Sequence, residues 1–269
     1  MKVRANGITI NYELTGEGDC LVLIHGAGDN LAMWYGQVPV FSRQYRVLTP
    51  DVRGHGETEC PETPVDMPLL ASDLRELLRA LNIKSAFVLG YSMGGRIGLQ
   101  LALGDPSMVK ALILANSGIG MSKPSPEAVE RRERLMAALA HGDLETVSEQ
   151  MTTTSFSPGL KERNPALFQR YKQIKLRNDA LSFARVWESM GTTQTPDLSR
   201  LSCPVLIIAG EQDAFMPLES LRAMHAALPG SRMRVLPTGH AAALEAPDEF
   251  NRIVLDFLAD VRSKEGRRR

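Results

Sequence analysis

Short nonpolar runs recur along the chain, each ended by a glycine, a proline or a polar residue. They are too short for helices, and such runs are typical of strands buried on both faces of a parallel sheet. They lie at residues 20–24, 45–48, 86–89, 111–115, 205–209 and 233–236. Ahead of them, alternating stretches at 2–4 and 9–14 flank Asn6-Gly7 and predict a β-hairpin.

Stretches with the period of an amphipathic helix separate these predicted strands. Leucines of residues 69–81 fall on one helical face and charged residues elsewhere, whereas residues 93–103 are small and apolar, as in a helix packed on a sheet. Residues 220–228 and 250–261 are further amphipathic segments. Strands that alternate with helices predict an α/β fold with a doubly wound, largely parallel sheet.

One long stretch departs from this alternation. Residues 119–199 contain no buried-strand run and are polar, helical in period and irregular, with Pro124 and Pro126 near the start and Pro196 near the end. We interpret 119–199 as an inserted helical cap, or lid. The core domain is then formed by residues 1–118 and 200–269.

Composition narrows the class of protein. Hydrophobic residues make up 43% of the 269 positions, enough for a large core without a disulfide or metal. The 31 Lys and Arg residues balance the 31 Asp and Glu residues, which argues against binding to nucleic acid or a membrane surface. The three cysteines are far apart, and neither a membrane span nor a signal peptide is apparent. We expect a cytoplasmic protein that binds a small molecule; its oligomeric state is not encoded in these patterns.

The strongest chemical signal is Gly90-Tyr91-Ser92-Met93-Gly94, between a predicted strand and a predicted helix. A sharp strand-to-helix turn holds such a serine in a strained backbone conformation, and only glycines two positions away leave room for it. The turn raises the hydroxyl above the sheet edge and directs the helix N-terminus at it. The motif predicts that Ser92 is a nucleophile; an ordinary glycine-rich turn is the alternative.

A serine hydroxyl needs a histidine base that is held by a carboxylate. Among the five histidines, His240 follows the last predicted strand, at the sheet edge where Ser92 emerges, and is the predicted base. Asp213 follows the preceding strand and is the predicted acid, with Glu211 as the alternative. The chain order of serine, aspartate and histidine is the one expected for this fold.

Two backbone amides are predicted to form an oxyanion hole. The Met93 amide follows the nucleophile, and the Ala27 amide lies in the glycine-rich turn at 25–28, after the first buried strand. This turn is not a dinucleotide loop, because Leu31 stands where the third glycine is required. The chain has no Walker loop, Cys-x-x-Cys pair or His-x-x-x-His pair, so we expect neither a metal nor another cofactor.

Motifs in a fixed order make the chain resemble the α/β-hydrolase fold family over nearly its whole length. They are His25-Gly26, Asp51-x-Arg53-Gly54-His55-Gly56, Gly90-Tyr91-Ser92-Met93-Gly94-Gly95, Gly210-x-x-Asp213-x-x-x-Pro217 and Gly239-His240-x-x-x-Leu244-Glu245-x-Pro247. The resemblance implies a mostly parallel, eight-stranded sheet with helices on both faces and a helical cap after the sixth strand.

Within the family, residues 33–56 and 111–116 are similar to 3-oxoadipate enol-lactonases and small carboxylesterases. Residues 90–96 are also similar to the menaquinone-pathway lyase and to the meta-cleavage C–C hydrolases. The serine at position 92 argues against haloalkane dehalogenases and epoxide hydrolases, which use aspartate there.

These features lead to three hypotheses about function. The first is a serine hydrolase that cleaves a carboxylic ester or (enol-)lactone of a small molecule through an acyl-enzyme on Ser92. The second is a C–C bond hydrolase or lyase acting on a dicarbonyl or dienol, with cationic contacts from Arg96 or from Arg170, Lys172 and Arg177 of the cap. The third is a non-catalytic ligand receptor.

Candidate substrate contacts are residues near the nucleophile, residues of the glycine-rich turn and large apolar side chains. They are His25, Gly26, Trp34, Tyr91, Trp187 and Met190. For Trp34, Trp187 and Met190, an ordinary core position is the alternative interpretation. For the cap cations the alternative is a solvated helix face.

Overall fold

The computed structural model describes residues 1–119, 126–189 and 196–266, and its centre is an eight-stranded sheet. The strand order is β1-β2-β4-β3-β5-β6-β7-β8. The strands are β1 (Lys2–Ala5), β2 (Ile8–Thr15), β3 (Cys20–Ile24), β4 (Arg46–Pro50), β5 (Ala86–Tyr91), β6 (Val109–Ala115), β7 (Val205–Gly210) and β8 (Arg232–Leu236). β2 pairs antiparallel with β1 and β4, and the other pairings are parallel. The predicted mostly parallel sheet is therefore confirmed.

The first two strands form the predicted hairpin. Ala5 pairs with Ile8, and the two turn residues have positive φ angles, 47° at Asn6 and 78° at Gly7. Left-handed conformations at both central positions give a turn whose twist matches that of the strands. The Asn-Gly pair fits because these residue types adopt such conformations at low cost.

Helices cover both faces of the sheet. They are α1 (Val38–Phe41), α2 (Met67–Ala80), α3 (Met93–Gly104), α4 (Pro126–Ala140), α5 (Leu144–Ser155), α6 (Leu160–Arg163), α7 (Pro165–Lys175), α8 (Ala180–Ser189), α9 (Leu218–Ala226), α10 (Ala242–Glu245) and α11 (Pro247–Gly266). Along β3, Val22 packs in a core cluster with side chains of α2 and α3, whereas Leu21 and Leu23 pack in a cluster with those of α1 and α11. No helix in the described ranges is both long and apolar enough to cross a membrane.

Two regions differ from the sequence-based prediction. The last helix begins at Pro247 and is longer than the predicted 250–261, since proline is well suited to the first turn of a helix. Residues 31–41, for which no element was predicted, form a short 3₁₀ helix and then α1. The side chain of Asn30 starts this segment by accepting the Ala32 N–H at 3.1 Å.

The described residues between β6 and β7 form helices. Over 126–189 these are α4 to α8, and no strand lies in that range. This helical character agrees with the pattern that led to the predicted cap. The division into a core domain and a cap at 119–199 stays a prediction.

Candidate active site

The turn between β5 and α3 carries Ser92 in a strained conformation. Its φ and ψ are 52° and −115°, and its N–H donates to the Ala115 carbonyl at 2.9 Å. A Cβ atom at Gly90 would lie 2.3 Å from the Gly94 backbone, and one at Gly94 would lie 2.2 Å from the Ile24 carbonyl oxygen. Both glycines are therefore required by close backbone contacts, which is the steric reason for the motif.

The structure brings the predicted serine, histidine and aspartate together. His240, in the loop after β8, has its Nε2 atom 2.9 Å from Ser92 Oγ. Its Nδ1 atom lies 2.8 Å from Oδ2 of Asp213, which follows β7. The aspartate and histidine side chains are almost completely buried. The chain of contacts can pass a proton from the hydroxyl to the imidazole, with the resulting charge stabilised by the carboxylate.

The Asp213 carboxylate is surrounded by hydrogen-bond donors. Oδ1 accepts the N–H groups of Phe215 and Met216, each at 2.9 Å, and Oδ2 accepts from His240 and from Asn116 Nδ2 at 3.0 Å. Burial alone would raise the pKa of Asp213. The charge and hydrogen bond of His240, with the bonds from Met216 and Asn116, outweigh burial and lower that pKa. Asp213 is therefore ionised at neutral pH.

Glu211, the alternative acid, is exposed to solvent, and its backbone N–H donates to the Leu236 carbonyl at 2.8 Å. No contact joins its carboxylate to His240 in the part of the chain that the structure describes. The structure therefore offers Asp213, not Glu211, as the partner of the histidine.

Asn116 is a site residue that the sequence analysis missed. It directly follows β6 with a φ of 48°, is fully buried, and donates a hydrogen bond to Asp213 through Nδ2. A second contact of 3.4 Å joins Nδ2 to the Gly239 carbonyl, next to His240. An asparagine directly after the nonpolar run at 111–115 was the available sequence signal. Its geometry makes it a positioning residue for the carboxylate.

We expect the Asn116→Gly substitution to lower kcat by about tenfold, because it removes a hydrogen bond to a buried charged group. Glycine tolerates the φ of 48°, so the backbone keeps its path. KM is expected to stay unchanged, since Asn116 does not line the pocket beside Ser92. Steady-state measurements of kcat and KM test this expectation. An unchanged kcat, or a rise in KM alone, would contradict the positioning role.

The loop that holds His240 is also tied to the helices between β6 and β7. The Glu245 carboxylate accepts the N–H groups of Gly239 at 2.9 Å and Ser157 at 3.2 Å, and it accepts the Ser157 hydroxyl. The Ala241 N–H donates to the Ser155 carbonyl at 2.8 Å. These bonds fix the backbone on both sides of the histidine.

The two predicted oxyanion donors lie at the same pocket. Ala27 and Met93 both line it beside Ser92. In the described ranges, neither backbone N–H appears in a hydrogen bond with another protein group. Met93 also begins α3, so its amide is at the positive end of the helix dipole. The two amides are therefore available to a negatively charged oxygen; their role stays a prediction.

Two buried histidines lie beneath the turn that carries Ala27. The Nδ1–H of His25 donates to the carbonyl of the next residue at 2.8 Å, and its Nε2 accepts the Val52 N–H at 2.9 Å. In His55, Nδ1 donates to a carbonyl at 3.1 Å and Nε2 accepts the Gly28 N–H at 3.0 Å. Both rings must be neutral to accept these amides. The histidines thus fix the position of the turn.

Burial is the main cause of their altered protonation. It lowers the pKa of His25, with Asp51 acting in the opposite direction. For His55, burial and, to a smaller extent, the adjacent His25 together lower the pKa to about 3, against the hydrogen bond to the Arg53 carbonyl, which raises it. His25 was predicted to contact substrate, but its ring is fully buried and does not line the pocket.

This burial makes stability depend on pH. Because the pKa of His55 falls from 6.5 to about 3 on folding, the unfolded chain binds more protons between these pH values. The free energy of unfolding is expected to fall by about 1.4 kcal/mol per pH unit from this group as the pH decreases below 6.5. Urea unfolding at a series of pH values measures the slope.

The His55→Gln variant provides the control, since glutamine offers an acceptor to the Gly28 N–H and does not titrate. The slope of its unfolding free energy against pH is expected to be smaller than that of the wild type by the contribution of this histidine. Equal slopes in the two proteins would show that His55 is not the source.

The pocket beside Ser92 has a volume of about 170 Å³. Its apolar wall includes Met151, Trp187, Phe215 and Met216, and its polar side chains include Asp29, Tyr91, Arg96, Tyr171 and Lys175. Of the predicted substrate contacts, Tyr91 and Trp187 line this pocket, whereas His25, Gly26 and Trp34 do not. Gly26 packs beneath the Tyr91 ring, and Trp34 lies in the core under a separate surface groove. Met190 lies outside the described residues.

The predicted cationic contacts are only partly found at the pocket. Arg96 lines it, but Arg170, Lys172 and Arg177 do not. Arg170 stacks over the Tyr35 ring, 3.3 Å from the ring centroid. Lys172 pairs with glutamates of α5. The lysine that does line the pocket, Lys175, was not predicted.

The fold and the strained serine beside a histidine define an α/β hydrolase. The chain belongs to the α/β hydrolase fold family, whose model matches residues 19–247. It is 30% identical to 3-oxoadipate enol-lactonase 2 of Acinetobacter baylyi over 253 residues, 93% of each chain. It is also 30% identical to 2-hydroxy-6-oxo-6-phenylhexa-2,4-dienoate hydrolase of Burkholderia cepacia, over 93% of this chain and 91% of that one.

Among solved structures, the chain is similar to the enol-lactonase from Burkholderia xenovorans. The TM-score is 0.89 at 27% sequence identity, covering 96% of this chain and 100% of that chain. These findings confirm the resemblance stated on the motifs and support a hydrolase.

Proposed function

We propose that this protein is a serine hydrolase that cleaves a small carboxylic ester or lactone through an acyl-enzyme on Ser92. The observation that carries the proposal is the continuous line of contacts from Ser92 Oγ through His240 to Asp213, at 2.9 and 2.8 Å. It lies at a small pocket that is also lined by Ala27 and Met93, whose amides are the predicted oxyanion donors. Nucleophile, base, orienting acid and oxyanion donors are the groups that acyl transfer requires.

In the proposed reaction, Ser92 Oγ attacks the substrate carbonyl carbon while His240 Nε2 takes the hydroxyl proton. The carbonyl oxygen becomes negative and accepts hydrogen bonds from the Ala27 and Met93 amides. The imidazolium, stabilised by Asp213, then protonates the departing alkoxide as the C–O bond breaks. Water then attacks the acyl carbon while His240 takes one of its protons. The bond from the acyl carbon to Ser92 Oγ breaks, His240 returns the proton to Oγ, and the acid is released.

The relatives support this class of reaction. The chain is similar in sequence and structure to proteins named as lactonases. We further propose that the predicted cap covers the pocket through its described residues 126–189, because Met151, Tyr171 and Trp187 of this range line it. A cytoplasmic location and independence of cofactors remain predictions from the sequence.

The test is hydrolysis of p-nitrophenyl acetate, butyrate and octanoate, together with labelling by a fluorophosphonate. We expect turnover of acetate and butyrate to exceed that of octanoate, because the cavity is only about 170 Å³. Peptide mass mapping is expected to find the fluorophosphonate on Ser92. Absence of both turnover and label would refute the proposal.

A second candidate, cleavage of a C–C bond in a dienol or dicarbonyl substrate, is favoured by the similarity to the Burkholderia cepacia dienoate hydrolase. Arg96, half-buried in the pocket wall, offers a cationic contact for such a substrate. Turnover of a 2-hydroxy-6-oxo-dienoate at a higher kcat/KM than any ester would favour this alternative.

A further inference from the structure

A buried ion pair lies in the wall of the pocket and is not used in the proposed reaction. Lys175, the last residue of α7, places Nζ 2.5 Å from Oδ1 of Asp29. The two side chains are only 3% and 1% exposed. Both residues line the pocket beside Ser92. A charged pair therefore forms part of a surface that substrate must contact.

The Asp29 carboxylate is well supplied with donors. Its Oδ1 accepts from Lys175, and its Oδ2 accepts the Tyr171 hydroxyl at 3.1 Å. Asp29 is only two residues beyond Ala27, so the same short loop carries the pair and a predicted oxyanion donor. The acid is thus fixed close to where the substrate carbonyl would be held.

The Lys175 ammonium is less well supplied with acceptors. It has three N–H groups. In the described part of the chain, its one hydrogen-bond acceptor is Asp29, and the Tyr171 ring lies 4.1 Å from Nζ to its centroid. No other carboxylate lines the pocket in the described ranges. Lys175 therefore retains donor capacity at the cavity.

A buried donor without a full set of acceptors has a physical cost. Burial lowers the pKa of Lys175, and Asp29 acts in the opposite direction by stabilising the charged form. Ion pairs in such positions often give less stability than apolar side chains of similar volume. In a pocket whose other wall is formed by methionine and aromatic side chains, a placed polar group gives orientation and specificity to a ligand.

We propose that Lys175, held in place by Asp29, donates a hydrogen bond to a second oxygen of the substrate, apart from the reacting carbonyl. The substrate class is then an oxo-, hydroxy- or carboxy-substituted ester or lactone, and not a plain alkanoate. This inference rests on the proposed function, because it assumes that esters or lactones enter this pocket.

The test compares three p-nitrophenyl esters of similar length: pentanoate, 4-oxopentanoate and hemisuccinate. The wild type is expected to have a kcat/KM about tenfold higher for at least one oxygen-bearing ester than for pentanoate. The Lys175→Met variant is expected to lose that preference, so that its kcat/KM for the oxygen-bearing ester falls to about its own kcat/KM for pentanoate. The oxo ester and the hemisuccinate distinguish a neutral oxygen from an anionic one.

Two further variants keep this test interpretable. Lys172→Met alters a lysine on the same helix that pairs with Glu145 and Glu149, away from the pocket, and is expected to retain the wild-type preference. Because Lys175→Met leaves Asp29 as a buried unpaired charge and risks unfolding, the double variant Asp29→Asn/Lys175→Met removes both charges.

The double variant is expected to fold and to lose the preference for oxygen-bearing esters. Equal kcat/KM values for the three esters in the wild type would overturn the inference, as would an unchanged preference in the double variant. Failure of the proposed function would look different: no ester would be hydrolysed and Ser92 would not be labelled.

Discussion

The Ser92→Ala protein is expected to hydrolyse p-nitrophenyl butyrate roughly 10⁴- to 10⁶-fold more slowly than the wild type, with its fold intact. Alanine has no nucleophilic atom, so no acyl-enzyme can form, and the remaining groups contribute only polarisation of the substrate. The fold is expected to persist because, among the described residues, the Ser92 hydroxyl forms a hydrogen bond with His240, and its loss leaves the rest of the turn unchanged. The backbone bond from residue 92 to the Ala115 carbonyl is retained by alanine.

The measurement pairs initial rates with thermal unfolding of the same preparations. Alanine and serine have the same backbone strain at a φ of 52°, so the midpoint temperature of thermal unfolding is expected to change little. Fluorophosphonate labelling should disappear along with turnover. Turnover above about 1% of the wild-type rate in Ser92→Ala, in protein free of wild-type contamination, would exclude the serine as the nucleophile.

Much of this site was predictable because its parts follow strands. In a parallel sheet the carboxyl ends of the strands meet at one edge, so residues directly after strands converge there. Ser92, Asp213 and His240 each follow a nonpolar run, and the structure brings them within hydrogen-bond distance. The strands themselves were recognisable since both of their faces are buried, which produces uninterrupted nonpolar runs.

The contacts that shape the pocket were not predictable in this way. Lys175 contacts Asp29, which is 146 residues away in the sequence, and Asn116 contacts Asp213, which is 97 residues away. Neither pair follows from local periodicity, because only the packed structure brings the partners together. The helical period shows which residues share a face of a helix, but not what packs against that face. Lys172 and Lys175 are three residues apart on α7, and the sequence could not show that Lys172 pairs with Glu149 whereas Lys175 pairs with Asp29 at the pocket.

The error at His25 has a related cause. Its place beside the glycine-rich turn suggested contact with substrate, yet the ring lies beneath the turn and accepts the Val52 N–H. Sequence position fixes where a residue enters a turn but not the direction of its side chain. The motif that contains Asp51 and His55 also has a structural role. The Asp51 side chain accepts the Leu31 N–H, and the His55 side chain accepts the Gly28 N–H.

The second large effect is expected for Asp213→Asn, which should lower kcat by about 10³- to 10⁴-fold with little change in KM. Four donors surround this side chain, and an amide can offer only one acceptor oxygen to them. If the amide NH₂ faces His240, that ring must carry its proton on Nε2 and cannot accept the Ser92 proton. If the NH₂ instead faces the N–H groups of Phe215 and Met216, hydrogen-bond donors face one another in a buried site, which is unfavourable.

Glu211→Gln is the matched control, since it makes the same chemical change on the alternative, exposed acid of the same turn. It is expected to retain nearly wild-type kcat. KM is expected to be preserved in both variants because neither side chain lines the pocket. A large loss in Glu211→Gln with more than about a tenth of the activity left in Asp213→Asn would reverse the assignment of the acid.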